Sequence, residues 1–363
     1  MAAEPEPGAL GVLVRERPAA RPEEVERFWA QTLDRFGRAA AAGGRVERDL
    51  AIAGVPFRLS FAGQAIHDTL FPALAHLAPH AGAEPERRVL VWDSGSTGVP
   101  GPDPAWEEDD IGPMEEVLSL VDGPVRATAD RGTGTVLAYD SRSRTLACHF
   151  RDAARTIWHE RAAPFRSGLH WLLTGPRRHL IHGAVVGDGA HGLLIAAPSG
   201  SGKSTLSVAC FRAGIQVAAD DFAIVTTDGG LRAHSIYATA KLDRRSAELL
   251  ALEPERVTNP GFAAHEKAVV DLRRGPLARE LPLSGIVVPR LSGVAEPRLE
   301  GIGGAEALRQ IGPSSIVVMP RPRGAAFTTA AELARRLPAW RLELGDDLDA
   351  AVSRLRRLLE TLR

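Results

Sequence analysis

The chain has 363 residues, of which 44% are hydrophobic and 25% are charged, and its formal net charge is −1. This composition excludes wholesale disorder, and the balanced charge provides no field for gathering nucleic acid, so we predict no nucleic-acid partner. With two cysteines, Cys148 and Cys210, a disulfide framework or a zinc ribbon is excluded. No apolar run approaches about 18 residues, and residues 1–7 are acidic and proline-rich, so we expect neither a membrane span nor a secretory signal. We predict a soluble, cytoplasmic protein with no membrane partner.

The first half of the sequence has the pattern of a small α+β domain over residues 21–175, after a flexible start over residues 1–20. Apolar residues recur at intervals of three and four over 21–40, which predicts an amphipathic helix. The other predicted elements are strands at 50–61, 88–93, 135–139 and 145–150, helices at 65–77 and 165–173, and a loop or mobile insertion at 94–113. We find no motif here that points to a particular chemistry.

Residues 176–363 alternate between short apolar runs and helical patterns, which predicts an α/β domain. The predicted strands are 179–186, 192–197, 215–219, 268–272, 284–289, 316–319 and 340–344, and the predicted helices are 203–213, 305–310, 328–336 and 346–362. A segment rich in glycine and serine lies between the strand at 192–197 and the helix at 203–213. We therefore place any nucleotide chemistry in this second domain.

That segment reads Ala-Pro-Ser-Gly-Ser-Gly-Lys-Ser-Thr over 197–205 and matches a phosphate-binding loop (P-loop), with Ala197 where the first glycine is usual. Its two glycines let backbone N–H groups turn inward and bind an anion at the start of a helix. Lys203 would neutralise the β- and γ-phosphates, and the Ser204 hydroxyl would ligate Mg²⁺. The alternative is a Gly/Ser linker that happens to precede a lysine. The predicted nucleotide contacts in the loop are Ser199, Gly200, Ser201, Gly202, Lys203, Ser204 and Thr205.

Two adjacent carboxylates, Asp220 and Asp221, end the strand predicted at 215–219. An acid one strand after the P-loop helix is typical of kinases, where it lies beside the γ-phosphate and orients or deprotonates the acceptor hydroxyl. Two carboxylates can divide the work, one on Mg²⁺ and one on the acceptor. The alternative is a solvated turn.

Lysine is rare in this chain: 44 residues are lysine or arginine, but the lysines are Lys203, Lys241 and Lys267 alone. In a chain whose bias favours arginine, a remaining lysine marks a place that needs a compact ammonium. Lys241 and Lys267 are therefore candidates for such a place. The alternative for both is chance retention.

At three places the sequence resembles the catalytic domain of HPr serine kinase/phosphorylase: His182-Gly183, 194–205 and 214–225, in the family's order. The whole chain looks more like the actinobacterial HPr-kinase-related proteins, some of which phosphorylate a serine of natural-product precursor peptides, including lasso peptides. The matching features are 92–93, 240–242, 266–267, 288–290, 312–315 and 342–345. Thr205 stands where HPr kinase has glutamate, and the glycine-rich segment linked to phosphorylase activity has no clear counterpart. The resemblance therefore does not extend to the reverse reaction or to HPr as the substrate.

The resemblance implies a role for each site residue. Asp220 would be the base toward the acceptor serine, Asp221 and Ser204 would ligate Mg²⁺, and His182 would orient the aspartate pair; which aspartate has which role stays open. Lys241 and Lys267 would contact nucleotide phosphate or the acceptor. We predict an ATP- and Mg²⁺-dependent kinase acting on a serine of a protein or peptide that the first domain holds, with a homo-oligomer as a candidate assembly. The alternatives are a kinase for a small hydroxylated metabolite and a nucleotide-gated binding protein with little turnover.

Overall fold

The computed structural model describes residues 17–77, 84–317, 319–321 and 324–362. Most of the start predicted to be flexible, residues 1–16, lies outside these ranges, and residues 17–21 have no regular secondary structure. No helix in the described ranges is both long and apolar enough to cross a lipid bilayer.

The first sheet has six strands from residues 45–150, in the order β1-β2-β3-β6-β5-β4, with β2, β3 and β6 parallel. Its strands are β1 (Arg45–Ile52), β2 (Val55–Ala62), β3 (Arg87–Asp93), β4 (Val125–Ala129), β5 (Val136–Asp140) and β6 (Thr145–Phe150). The helices of this half are α1 (Pro22–Gly43), α2 (Gln64–Leu70), α3 (Ser94–Thr97), α4 (Trp158–Ala162) and α5 (Arg166–Leu173). The α1 helix packs its apolar side, including Phe28 and Phe36, against the sheet around Trp92, so the predicted amphipathic pattern corresponds to its buried face.

The structure corrects several predictions in this half. The single strand predicted at 50–61 is a hairpin that turns at Ala53-Gly54, where both residues have positive φ (48° and 76°). The predicted helix at 65–77 ends at Leu70 and continues as one 3₁₀ turn, Phe71–Ala73. The segment 94–113, predicted as a loop, contains α3, which Asp93 caps by accepting a hydrogen bond from Ser96 N.

The second sheet has nine strands from residues 178–344. Its continuous path is β10-β8-β9-β15-β12-β11-β7; β17 pairs with the far end of β15, and β16 pairs with β17. The strands are β7 (Arg178–His182), β8 (Ala184–Gly187), β9 (Gly192–Ile195), β10 (Gln216–Ala219), β11 (Phe222–Thr226), β12 (Arg232–Ser235), β15 (Glu280–Leu291), β16 (Arg298–Ile302) and β17 (Ala339–Leu344), and β13 (Thr239–Leu242) and β14 (Ala268–Asp271) form a separate hairpin. The helices are α6 (Lys203–Arg212), α7 (Arg244–Leu249), α8 (Gly304–Val317), α9 (Gly324–Arg336) and α10 (Leu348–Thr361). Because α6 and α10 cover one face and α8 and α9 the other, this half is a layered α/β structure with β9, β15 and β17 parallel at its centre.

Two predictions in the second half are wrong. The run predicted as one strand at 179–186 is two strands that separate at Gly183. The strand predicted at 316–319 is instead the end of α8 over 316–317, and residue 318 lies outside the described ranges. A short run of β-branched residues fits a buried helix as well as a strand, so periodicity alone cannot separate the two.

The two sheets share one hydrophobic core. A single cluster of buried side chains joins Phe57 and Leu146 of the first sheet to Trp171 of α5 and to Phe222 and Ile224 of β11. Backbone and side-chain hydrogen bonds cross the same boundary, for example from Ala238 N to Ala73 O at 2.7 Å and from Tyr237 Oη to Pro164 O at 2.9 Å.

Candidate functional site

The predicted P-loop connects the end of β9 to the first residue of α6. It therefore lies at the carboxyl edge of the parallel strands, the edge where α/β sheets bind ligands. Gly200 and Gly202 have φ values of +77° and +88°, which L-residues with side chains rarely adopt. Ala197 does not have a positive φ, which explains why alanine is tolerated where the first glycine is usual.

The Lys203 side chain folds back over the loop. Its Nζ donates hydrogen bonds to Ala197 O at 2.6 Å and to Pro198 O at 2.9 Å, and the residue is 7% exposed. The Ser201 hydroxyl donates to the same Pro198 carbonyl at 2.7 Å. These bonds hold the ammonium across the loop, close to the start of α6, where the helix dipole favours an anion.

Two other loop residues have different surroundings. Ser204 is half-buried, and its backbone carbonyl accepts a hydrogen bond from Ser207 Oγ at 3.1 Å. The Thr205 hydroxyl lies 2.8 Å from the Ser246 hydroxyl of α7. Thr205, predicted as a nucleotide contact, thus joins α6 to α7 through its side chain.

Asp220 and Asp221 occupy the turn between β10 and β11, and their carboxylates have different partners. Asp220 is 2% exposed; one oxygen accepts from Ser207 Oγ and the other from Lys241 N at 3.1 Å. Burial raises the pKa of Asp220, and the Ser207 hydrogen bond opposes that change. Asp220 is therefore fastened to α6, the helix that begins with the P-loop lysine.

Asp221 is more accessible, with a side chain 19% exposed. His182 Nε2 donates to its Oδ1 at 3.0 Å, and Lys241 Nζ forms an ion pair with its Oδ2. Burial on its own raises the pKa of Asp221, but Lys241 and His182 outweigh burial and hold that pKa well below its usual range. Asp221 therefore carries a charge near neutral pH.

Phe222 is the platform beneath this cluster. The His182 ring stacks on it at a centroid distance of 5.1 Å, and Lys241 Nζ and the Arg166 guanidinium lie 5.9 Å and 5.4 Å from its centroid. His182 Nδ1 is buried and has no hydrogen-bond partner among the described residues. The structure thus places His182 beside Asp221, as the resemblance implied, and adds Lys241, whose partner the sequence did not indicate.

Lys267 is not brought into this group by any contact in the described part of the chain. It lies just before β14, and its backbone carbonyl accepts a hydrogen bond from Asn259 Nδ2 at 2.9 Å. The β13–β14 register pairs Lys241 with Val269, so Lys267 lies beyond the paired end of the hairpin.

Sequence reasoning missed Ser207, Phe222 and Arg166. Ser207 lies one helical turn after the P-loop, on the same side of α6 as Lys203, and this spacing was a usable signal. Arg166 is distant from Asp221 in sequence, and no local pattern connects the two.

A cavity of about 430 Å³ opens beside the P-loop. Its walls are residues 198–201 of the loop, residues 288–291 of β15, Glu306 and Gln310 of α8, and Arg341 of β17. Arg341 forms ion pairs with Glu306 and, at 3.4 Å, with Glu300. The cavity is within the size range of small-molecule sites, which is roughly 300–1,000 Å³.

The residues around the loop fit a magnesium nucleotide in chemical type. Mg²⁺ prefers oxygen ligands and keeps several waters, so a serine hydroxyl, a carboxylate and phosphate oxygens suffice. In the ranges that the structure describes, no three His, Cys, Asp or Glu side chains form a cluster that could hold a metal ion by themselves.

Comparisons with known proteins give a limited result. No protein-family model matches the chain, and no curated protein matches it. Among solved structures, the Hpr(Ser) kinase/phosphatase from Coxiella burnetii matches 50% of this chain and 97% of its own, at 12% identity and a TM-score of 0.27. A TM-score of 0.27 does not establish a shared fold.

Proposed function

We propose that this protein is an ATP-dependent kinase that transfers the γ-phosphate to a serine hydroxyl of a protein or peptide. The observation that carries the proposal is the link between the P-loop and the aspartate pair. Ser207 of α6 bonds Asp220, and the next residue, Asp221, bonds His182 and Lys241. An anion-binding loop and a charged carboxylate beside it are the two groups that phosphoryl transfer to a hydroxyl requires.

The P-loop would hold the phosphates of ATP. Backbone N–H groups at Gly200 and Gly202 and the start of α6 favour negative charge. In this proposal the Lys203 ammonium exchanges its two loop carbonyls for phosphate oxygens. The cavity beside residues 198–201 provides space for the rest of the nucleotide.

Magnesium would be held by Ser204 together with a carboxylate, and when bound it neutralises charge on the phosphates. The expectation from sequence gave Asp221 this place and Asp220 the acceptor. We propose the opposite division, because Asp220 is buried against the helix that carries Ser204, whereas Asp221 is accessible.

Asp221 would then orient the serine hydroxyl and receive its proton while the serine oxygen bonds to the γ-phosphorus and the bond to the β–γ bridging oxygen breaks. His182 holds one oxygen of this carboxylate by its hydrogen bond. The ion pair with Lys241 makes Asp221 a weak base, which the reaction tolerates because its transition state is loose and positioning contributes most.

The test compares Asp221→Asn and Asp220→Asn with the exposed Asp122→Asn as the matched control. We expect Asp221→Asn to bind Mg·ATP normally and to lose transfer to serine peptides by about 10²–10⁴-fold. Asp220→Asn should weaken Mg·ATP binding itself. Binding is measured by calorimetry and transfer with γ-labelled ATP.

Two results would contradict the proposal. If wild type binds Mg·ATP tightly but labels no serine peptide, a metabolite kinase or a nucleotide-gated binding protein replaces the peptide kinase. If Asp220→Asn abolishes transfer without affecting Mg·ATP binding, the division of roles between the aspartates is the one expected from sequence.

A further inference from the structure

A second cavity, of about 90 Å³, lies between the first sheet and the segment 159–167. About 10–15 Å³ is enough for one water molecule, so this cavity admits a headgroup of a few heavy atoms and excludes a nucleotide. We call it the acidic cavity; its polar lining includes Glu115, Thr128, Asp130, Thr135, Glu160 and Arg166.

The Thr128 hydroxyl is the first sign that the acidic cavity receives a polar ligand. Thr128 is 4% exposed and lines the cavity, and its hydroxyl makes no hydrogen bond to any residue in the described ranges. The neighbouring Thr135 hydroxyl, by contrast, donates to Glu160 Oε1 at 2.6 Å. Because Thr128 lines the cavity, its oxygen is available to accept from a ligand N–H.

The charged side chains that line the cavity indicate the charge of the ligand. Within the described ranges, no ion pair involves Glu115, Asp130 or Glu160. The Asp130 carboxylate accepts hydrogen bonds from the backbone N–H groups of residues 132 and 133 in its own turn. The Arg166 guanidinium is stacked over Phe222 at the edge of the cavity. The lining thus carries three carboxylates and one guanidinium, and the positive charge of Arg166 opposes the rise that burial causes in the pKa of Glu115.

The ionisation of the lining residues agrees with this imbalance. Burial, helped by the charges of Asp130 and Glu115 and opposed by the Thr135 hydrogen bond, raises the pKa of Glu160 to about 7. Burial, followed by the positive charges of Lys241 and Arg166, lowers the pKa of His159 to about 4, so this cavity residue is neutral near pH 7. A bound cation would relieve the repulsion among the carboxylates.

We propose that the acidic cavity binds a guanidinium or ammonium headgroup, and that this headgroup belongs to a cationic residue near the acceptor serine. The second part rests on the proposed kinase function. Position supports it, because Arg166 lines the cavity and lies over Phe222, the residue that follows Asp221. A peptide that reaches from the acidic cavity past Arg166 arrives at the candidate phosphoryl-transfer site.

The first experiment measures binding to the full chain without nucleotide, by calorimetry, using arginine amide, lysine amide and citrulline amide. Each amide is Nα-acetylated so that only the side chain can carry a charge, and citrulline then has nearly the shape of arginine but no charge. We expect arginine amide and lysine amide to bind at millimolar concentration or below, and citrulline amide to bind at least about tenfold more weakly. Absence of binding by both cations, or equal binding of citrulline amide, overturns the proposal.

Variants locate the binding. Glu160→Gln and Asp130→Asn should each weaken arginine amide binding by about tenfold, and Thr128→Val by a smaller factor, while the exposed Glu296→Gln leaves it unchanged. Thermal unfolding checks that each variant is folded. If folded Glu160→Gln and Asp130→Asn both bind like wild type, the cation binds elsewhere and the proposal fails.

The second experiment compares two serine peptides that differ by one arginine or citrulline near the serine. We expect KM for the arginine peptide to be lower by about tenfold, and Glu160→Gln to remove the difference. Equal KM values would overturn the acceptor part. Labelling of neither peptide, with arginine amide still bound, would count against the kinase and leave the cation site standing.

Discussion

In the second half of the molecule, the phosphate-binding loop and the aspartate pair come from two short stretches, 197–205 and 220–221, and His182 and Lys241 join the pair from other strands. In the first half, the acidic cavity takes its groups from distant segments, at Glu115, Asp130 and Glu160. Phosphate is bound largely by backbone N–H groups and a helix end, which a short local sequence specifies. Recognition of an acceptor by side chains needs no fixed spacing, so it leaves no motif.

The largest effect that tests this contrast is expected for Lys203→Ala. Loss of the ammonium should reduce kcat/KM for ATP by about 10²–10³-fold, since one charge-stabilising donor contributes that much. Lys203→Arg should reduce kcat/KM for ATP nearly as much, because a planar guanidinium does not fit where one ammonium bonds two loop carbonyls.

Arginine amide binding to the acidic cavity provides the internal control for Lys203→Ala. It should be unchanged, since the two sites use different groups. Steady-state transfer and calorimetry on the same preparations measure both. If Lys203→Ala reduced arginine amide binding as much as transfer, the two sites would not be independent. The exposed Arg354→Ala checks whether loss of a positive charge anywhere has the same effect.

A smaller effect is expected for Gly202→Ala, which tests whether the backbone of the P-loop binds the phosphates. Gly202 has a φ of +88°, and a β-carbon there would lie 3.3 Å from Leu344 Cδ1. Gly214→Ala is the matched control, with a φ of +82° and open space around it. Both should lose about 1–2 kcal/mol of unfolding free energy, but Gly202→Ala alone should lose ATP affinity, by about tenfold. Equal ATP affinity in the two variants would show that this part of the loop is not the phosphate site.

Ser207→Ala tests the link between the P-loop helix and the aspartate pair. It leaves the buried Asp220 carboxylate with one hydrogen bond fewer, and because Asp220 is the proposed magnesium ligand, we expect KM for Mg·ATP to rise about tenfold. Ser207→Thr retains the hydroxyl and should recover most of the activity. Equal losses in the two variants would indicate a packing role for Ser207 instead.

The smallest effect concerns the pH dependence of Glu160. Its pKa of about 7 in the folded protein exceeds the ordinary value of 4.5, so the unfolded chain releases the proton first. The contribution of Glu160 to the unfolding free energy is fully present below about pH 4.5 and is lost as pH rises to about 7. Relative to Glu160→Gln, wild type should lose about 2–3 kcal/mol of unfolding free energy over this window, measured by denaturant titration at several pH values. If the unfolding free energies of the two proteins depend on pH in the same way, the pKa of Glu160 is the same in the folded and unfolded states.

Where sequence signals were local, they matched the structure well. The helix predicted at 203–213 is α6, which begins at Lys203 itself, and the strand predicted at 340–344 is β17. The aspartate pair was expected at a strand end, and it occupies the turn after β10. In each case neighbouring residues carry the signal, so no information about the rest of the fold was needed.

Where the outcome depended on distant contacts, the sequence was insufficient. The hairpin at Ala53-Gly54 requires alanine in a left-handed conformation, which a propensity argument does not anticipate. The apolar residues at 316–317 became helix because they continue α8, and a short window cannot reveal that. The ion pair between Lys241 and Asp221 depends on where the β13–β14 hairpin packs. The rarity of lysine therefore marked Lys241 as a candidate, but nothing in the sequence identified Asp221 as its partner.

The hydrophobic core that both sheets share makes the molecule a single cooperative unit. Phe222 belongs both to that core and to the platform beneath His182, so loosening the first half also releases the site in the second. A fragment starting near residue 176 would expose Leu180, Phe222 and Ile224 to water, and we do not expect it to fold alone. Large-to-small substitutions of buried α5 residues, such as Trp171→Ala, would therefore destabilise both halves, even with every catalytic group intact.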